Sequence, residues 1–316
     1  MNRFRPLILV LLSLGIGKAA AQDRAPRERP ASYLALGDSI PFGYNPFLTK
    51  LAEAVIPLPL TTPVPDLLLS YNGYPQDVAE FLKLNLANAS CPGQTSNSFL
   101  VLVPALLDNG CELWRTSGLP LFVTYTSAPW ETQVAFATSF LLAHSDTRLV
   151  TLTIGGDDLL ALEGTTCKGL SSAQLQQCIA SYILNTFTTN LTEIYAAIRS
   201  TGYDGPIVAV NYASPNYTNT NETAAVSALN LAISTVSDLF KGKVADTFSA
   251  FKLASGAGGL PCAVGLAFFN PSGPGCDVHP TPLGQLLIAQ LVLHALKPQD
   301  ESREESLLFG PRRDGP

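Results

Sequence analysis

The chain has 316 residues, 47% hydrophobic and 14% charged, a composition that excludes disorder over most of its length. Its formal net charge is -6, and removal of residues 1–21, which carry Arg3, Arg5 and Lys18 and no acid, makes it -9. That balance argues against recognition of a nucleic-acid backbone by bulk charge, and the length admits two domains or one large α/β unit.

Met1 to Gln22 reads as a targeting segment. Arg3 and Arg5 form a basic start, Pro6 to Gly17 is mostly apolar, and Ala19-Ala20-Ala21 offers a small-residue cleavage site. The apolar run is shorter than the ~20 residues needed to cross a bilayer, so a cleaved signal peptide (1–21) is expected rather than an anchor. No later run is long and apolar enough to span a membrane, and a secreted protein, extracellular or periplasmic, follows. A short linker, 22–32, leads into the folded part.

Five β-rich runs come next: Tyr33 to Leu36, Leu84 to Asn88, Leu149 to Ile154, Ile207 to Tyr212 and Val244 to Phe248. Between and after them, Tyr74 to Leu84, Ser181 to Arg199, Glu222 to Phe240 and Pro282 to Leu296 place apolar residues at helical spacing. Strands alternating with helices, and strands apolar on both faces, predict a three-layer α/β/α sandwich around a parallel sheet of about five strands. The Leu- and Pro-rich insertion at 44–73 is too broken for a regular element and too apolar for a solvated linker. It is expected near the site, as a cleft wall, a lid or a cover for a sheet edge. Residues 298–316 form a charged tail, expected to be disordered.

Cys91, Cys111, Cys167, Cys178, Cys262 and Cys276 are an even set in a chain expected to leave the cytosol, which points to disulfides. Fifteen pairings are possible, of which the sequential one closes only short loops. A zinc site is disfavoured, because no C-x-x-C pair occurs and His144, His279 and His294 are the three histidines. Asn88, Asn190, Asn216 and Asn221 begin N-x-Ser/Thr sequons.

In a doubly wound sheet, ligands gather at the carboxyl ends of the strands. Four segments fit that place. Tyr33 to Ile40 runs from an apolar strand into Gly37-Asp38-Ser39, leaving the Ser39 hydroxyl at the sheet edge. Asn88 to Thr95 contains Gly93, which can bring a main-chain N–H close to a substrate oxygen. Ile154-Gly155-Gly156-Asp157-Asp158 closes the most strand-like stretch, and Asp277-Val278-His279-Pro280 precedes the last amphipathic helix. His144 and His294 have no such setting.

In this order the four segments resemble the signature blocks of the SGNH, or GDSL-type, esterase and lipase superfamily, over roughly residues 33–297. The resemblance implies a flavodoxin-like fold, with Ser39 as nucleophile and His279 as catalytic base. It also implies an oxyanion hole from the N–H groups of Ser39 and Gly93 with the side chain at 157. The six cysteines resemble the secreted branch that holds its loops with three consecutive disulfides. Two departures stand out. The third block normally reads Gly-x-Asn-Asp, but position 157 is Asp, and an ionised carboxylate cannot donate to an oxyanion. Asp157 is then either protonated or idle. The family's Asp three residues before the histidine is replaced by Cys276, leaving Asp277, two residues before, or a backbone carbonyl to orient His279.

The expected activity is hydrolysis of carboxylic esters through an acyl-enzyme. The substrate would be a small-molecule, lipid or acylated-carbohydrate ester, the enzyme a monomer, and no metal or organic cofactor is required. The alternative is a weakly active or inactive binding protein on the same scaffold.

Overall fold

The computed structural model describes residues 30–48, 71–101, 110–116, 119, 121–123 and 132–297. The expected signal peptide, most of the insertion and the expected tail lie outside them. Five strands form one parallel sheet: β1 (Ser32–Gly37), β2 (Asn85–Asn88), β3 (Leu149–Thr153), β4 (Ile207–Val210) and β5 (Lys243–Ala245), in the order β2-β1-β3-β4-β5. A separate antiparallel hairpin follows, β6 (Ala267–Phe269) paired with β7 (Cys276–Pro280).

Strand alternation assigns the two faces. Leu34, Leu36, Val150, Leu152, Ile207 and Ala209 point into one core. Tyr33, Ala35, Leu149, Val208, Val210 and Ala245 point into the other. The first core is covered by α5 (Gln133–Ala143), α7 (Ser172–Tyr182), α8 (Thr188–Ser200) and α9 (Thr220–Leu239); the second by α2 (Tyr74–Leu82), α10 (Thr247–Ser255) and α11 (Pro282–Leu296). The predicted three-layer sandwich is therefore the architecture found. Short helices α1 (Ser39–Phe42), α3 (Ser96–Leu100), α4 (Gly110–Thr116) and α6 (Gly156–Gly164) sit at or near the carboxyl end of the sheet.

Several predicted bounds move, each for a local reason. β5 ends at Ala245, not Phe248, because the Asp246 side chain accepts the Ser249 N–H (3.1 Å) and starts α10 there. The predicted helix from Ser181 to Arg199 is the far part of a longer stack: α7, one π-helical turn at Ile183–Phe187, then α8. α11 begins and ends where predicted, with Thr281 as N-cap and Pro282 at the first helical position. Neither α5 nor the β6–β7 hairpin is apparent from the sequence patterning.

The three disulfides are sequential: Cys91–Cys111, Cys167–Cys178 and Cys262–Cys276. No helix among the described residues is long and apolar enough to cross a membrane. Asn88 is 2% exposed and its amide donates to the Pro41 carbonyl (2.9 Å), so that sequon is closed in the folded protein.

Candidate active site

Ser39 leaves β1 through two residues whose geometry is fixed from outside. Gly37 has φ +133°, and a Cβ there would lie 2.0 Å from the Thr153 carbonyl oxygen, so the close crossing of β1 on β3 requires glycine. Asp38 caps α1, its Oδ1 accepting the Ile40 N–H at 2.9 Å. The turn is then held from three elements. Gln133 of α5 accepts the Gly37 N–H (2.5 Å) and donates back to the Gly37 carbonyl (3.0 Å). Gln285 of α11 donates to the Ile40 carbonyl (2.9 Å), and Asn88 at the end of β2 donates to that of Pro41. All three amides are buried, so each one lost would strand main-chain groups away from water.

His279 arrives on β7. Its Nε2 lies 2.9 Å from Ser39 Oγ, and its Nδ1 lies 2.5 Å from Asp277 Oδ1. The two-residue spacing works because β7 is a strand: residues i and i+2 share a face. Asp277 Oδ1 also accepts the His279 main-chain N–H at 3.0 Å. Burial works to raise the Asp277 carboxyl, but the ring and main-chain hydrogen bonds from His279 outweigh it and hold the group below the usual carboxylate range. Of the two orienting groups the sequence left open, the structure brings up the carboxylate. The hairpin is anchored by Cys262–Cys276 and by the Thr281 N–H on the Leu266 carbonyl (3.0 Å). The Tyr44 ring packs on His279 with centroids 4.4 Å apart.

Gly93 has φ +81° and stands back to back with Gly110, beside Cys91–Cys111. The Cys91 N–H donates to the Gly37 carbonyl (3.0 Å), which ties this loop to the serine turn. Among the described residues, the main-chain N–H groups of Ser39 and Gly93 have no protein acceptor. Asp157 lies in the first turn of α6 and lines the same cavity of about 170 Å³ as Ser39, Asp38 and Asp277. Its Oδ2 is buried without a hydrogen-bond partner among the described residues. Burial, then the charges of Asp38 and Asp158, push the Asp157 carboxyl well above the ordinary range.

Its neighbour Asp158 is a structural anchor. It accepts from the Ser96 N–H (2.8 Å), the Ser96 hydroxyl (2.6 Å) and the Tyr182 hydroxyl (2.8 Å). Burial pushes Asp38 up to about 7, against hydrogen bonds from Tyr212 and Ile40 that pull it down. His144 stacks on Phe140 at the end of α5, and His294 lies in the last turn of α11. Sequence reasoning missed Gln133, Gln285, Tyr212 and Tyr44, since a buried amide or phenol in a helix or loop carries no local signal of what it will meet.

A serine hydroxyl, an imidazole in contact with it, a carboxylate behind the imidazole and main-chain donors without acceptors among the described residues are groups that acyl transfer can use. Comparison with known proteins gives the same direction. The family model for the GDSL-like lipase/acylhydrolase family matches residues 35–287. Among solved structures, the chain is similar to phospholipase A1 from Streptomyces albidoflavus NA297, with 19% identity, a TM-score of 0.52, and 84% of this chain and 99% of that one covered. The extracellular lipase from Streptomyces rimosus matches with the same identity, TM-score and coverage. At that identity the likeness speaks for the fold. No curated protein matches the sequence.

Proposed function

Because the chain belongs to the GDSL-like lipase/acylhydrolase family, we propose that it is a secreted serine hydrolase that cleaves carboxylic esters through an acyl-enzyme. The observation that carries this reading is the line from Asp277 through His279 to Ser39, with contacts of 2.5 and 2.9 Å. His279, neutral, takes the Ser39 proton as Oγ attacks the ester carbonyl, and returns it to the departing alcohol. Water, activated by the same imidazole, then releases the acid. Asp277 fixes the tautomer, placing the Nδ1 proton toward itself, and stabilises the imidazolium.

The N–H groups of Ser39 and Gly93 hold the tetrahedral oxygen. Asp157 adds a third donor while it carries a proton, and its raised proton affinity favours that form. An ionised Asp157 opposes the reaction by charge repulsion, so activity is greatest where Asp157 is neutral and His279 is not yet protonated. Secretion rests on the basic and apolar start of the chain and on three disulfides, which persist in oxidising compartments. The mature domain spans 33–297 and acts as a monomer on a small-molecule, lipid or acylated-carbohydrate ester.

A fluorophosphonate probe tests the assignment. Covalent labelling at Ser39, together with release of nitrophenol from p-nitrophenyl esters, is the expected result. A Ser39 that stays unlabelled from pH 5 to 9 would overturn it in favour of a binding protein.

A further inference from the structure

A neutral Asp157 needs a reason to keep its proton in preference to the carboxyl beside it. Asp38 and Asp157 line one cavity, and the charge of Asp38 raises the proton affinity of Asp157. Two carboxyls that face one cavity and repel each other's charge hold one proton between them over a range of pH. Their surroundings differ. Asp38 accepts from the Ile40 N–H at 2.9 Å and from the Tyr212 hydroxyl, whereas Asp157 Oδ2 is buried and unpartnered.

Tyr212 is itself rigidly set. Its main-chain N–H donates to Asn230 Oδ1 (2.9 Å), and its carbonyl accepts from Asn230 Nδ2 (2.8 Å). Its ring abuts Gly156, where a Cβ would stand 2.6 Å from Cε1, so the phenol packs on the residue just before Asp157. We propose that Tyr212 is a positioning residue: its hydrogen bond to Asp38 keeps Asp38 the ionised member of the pair and leaves the shared proton on Asp157, ready to be donated to the oxyanion.

The physical basis is that a hydroxyl donor stabilises a carboxylate more than a carboxylic acid, so the member with donors ionises first. Other titratable groups face this pair. Asp158 comes from α6, Tyr74 from α2, and Asp277, paired with His279, from β7, while Glu163 and Glu222 line the same cavity. Asp158 is held by Ser96 and Tyr182, Tyr74 by Thr153, and Asp277 by His279. The contacts that distinguish Asp38 from Asp157 are the Tyr212 hydroxyl and the Ile40 N–H.

The inference rests on Ser39 being the nucleophile, and the test separates the two. Turnover of p-nitrophenyl butyrate is followed against pH for the parent, Tyr212→Phe, Asp157→Asn and the double variant, with Ser39→Ala as blank. Tyr212→Phe is expected to lower kcat at pH 7–8 about tenfold with KM unchanged, and to move the alkaline limb of the kcat profile about one pH unit toward acid. In the Asp157→Asn background, where the amide donates at every pH, the same change is expected to alter kcat less than about twofold and leave the limb in place. Equal losses in both backgrounds, or an unmoved limb in Tyr212→Phe, overturn the proposal while the hydrolase reading stands. A parent no more active than Ser39→Ala overturns both.

Infrared difference spectra give a readout without turnover or Tyr212→Phe. The carboxylic-acid C=O band of the parent at pH 8, above the value of about 7 for Asp38, is expected to weaken in Asp157→Asn. A band of undiminished strength puts the proton on Asp38 and refutes the assignment.

Discussion

His279 Nε2 stands 2.9 Å from Ser39 Oγ across 240 positions of sequence, and the residue that turns the ring into that contact, Asp277, is its neighbour but one on β7. If this line performs the chemistry, Ser39→Ala and His279→Ala each remove turnover by about 10³-fold or more, with the fold retained by circular dichroism. Asp277→Asn loses about 10²-fold in kcat with little change in KM. A loss of only a few-fold for Asp277→Asn would show that a carbonyl, not this carboxylate, orients the ring.

Asp157→Asn supplies a donor that does not depend on a proton. The variant is expected to turn over esters faster than the parent at pH 7–8, with a ratio that grows as pH rises, up to about 10²-fold. Unchanged or lower turnover across pH 7–8 contradicts the account of position 157.

The same substitution has a signed effect on stability. The folded state raises the Asp157 pKa, so the native protein keeps a proton that the unfolded chain releases near pH 4. The stabilisation linked to that proton is fully present below the unfolded pKa and is lost as pH rises toward the folded one. Asp157→Asn should therefore unfold at nearly the parent temperature at pH 3–4. Its advantage should then grow with pH through neutrality, by at most about 1.4 kcal/mol for each pH unit. An advantage that does not change with pH would contradict this linkage.

Gly93 has no room for a side chain, since a Cβ would lie 2.7 Å from the Gly110 Cα. Gly93→Ala is expected to cost about 1–3 kcal/mol in urea unfolding and to lower kcat tenfold or more as the N–H is displaced. Joint removal of Cys91 and Cys111, which close a 20-residue separation beside it, should cost about 3 kcal/mol and also lower kcat.

Gln133→Leu tests the clamp on the serine turn. It leaves the buried Gly37 N–H without its acceptor, at a cost of about 1–3 kcal/mol, and should depress kcat while KM holds. Unaltered stability would mean that the turn finds another partner.

The helical bounds of α11 were legible because Thr281, Pro282 and a continuous apolar pattern all speak locally. The end of β5 was not, because Thr247 and Phe248 favour strands and the Asp246 cap overrode them. The hairpin bearing His279 is too short, at three and five residues, for periodicity to register. Yet the alternation of Asp277 and His279 along it is what brings the carboxylate to the imidazole ring.

The sequence by itself determined the layer architecture, because strand and helix periods are local properties, and its resemblance to the GDSL-type family singled out Ser39, Asp277 and His279. Tertiary structure alone decided how those groups are held. Gln133 meets Gly37 across 96 positions and Tyr212 meets Asp38 across 174. A hydrogen bond between distant residues, and the burial that shifts a carboxyl, exist only once the chain has closed water out of the space between them.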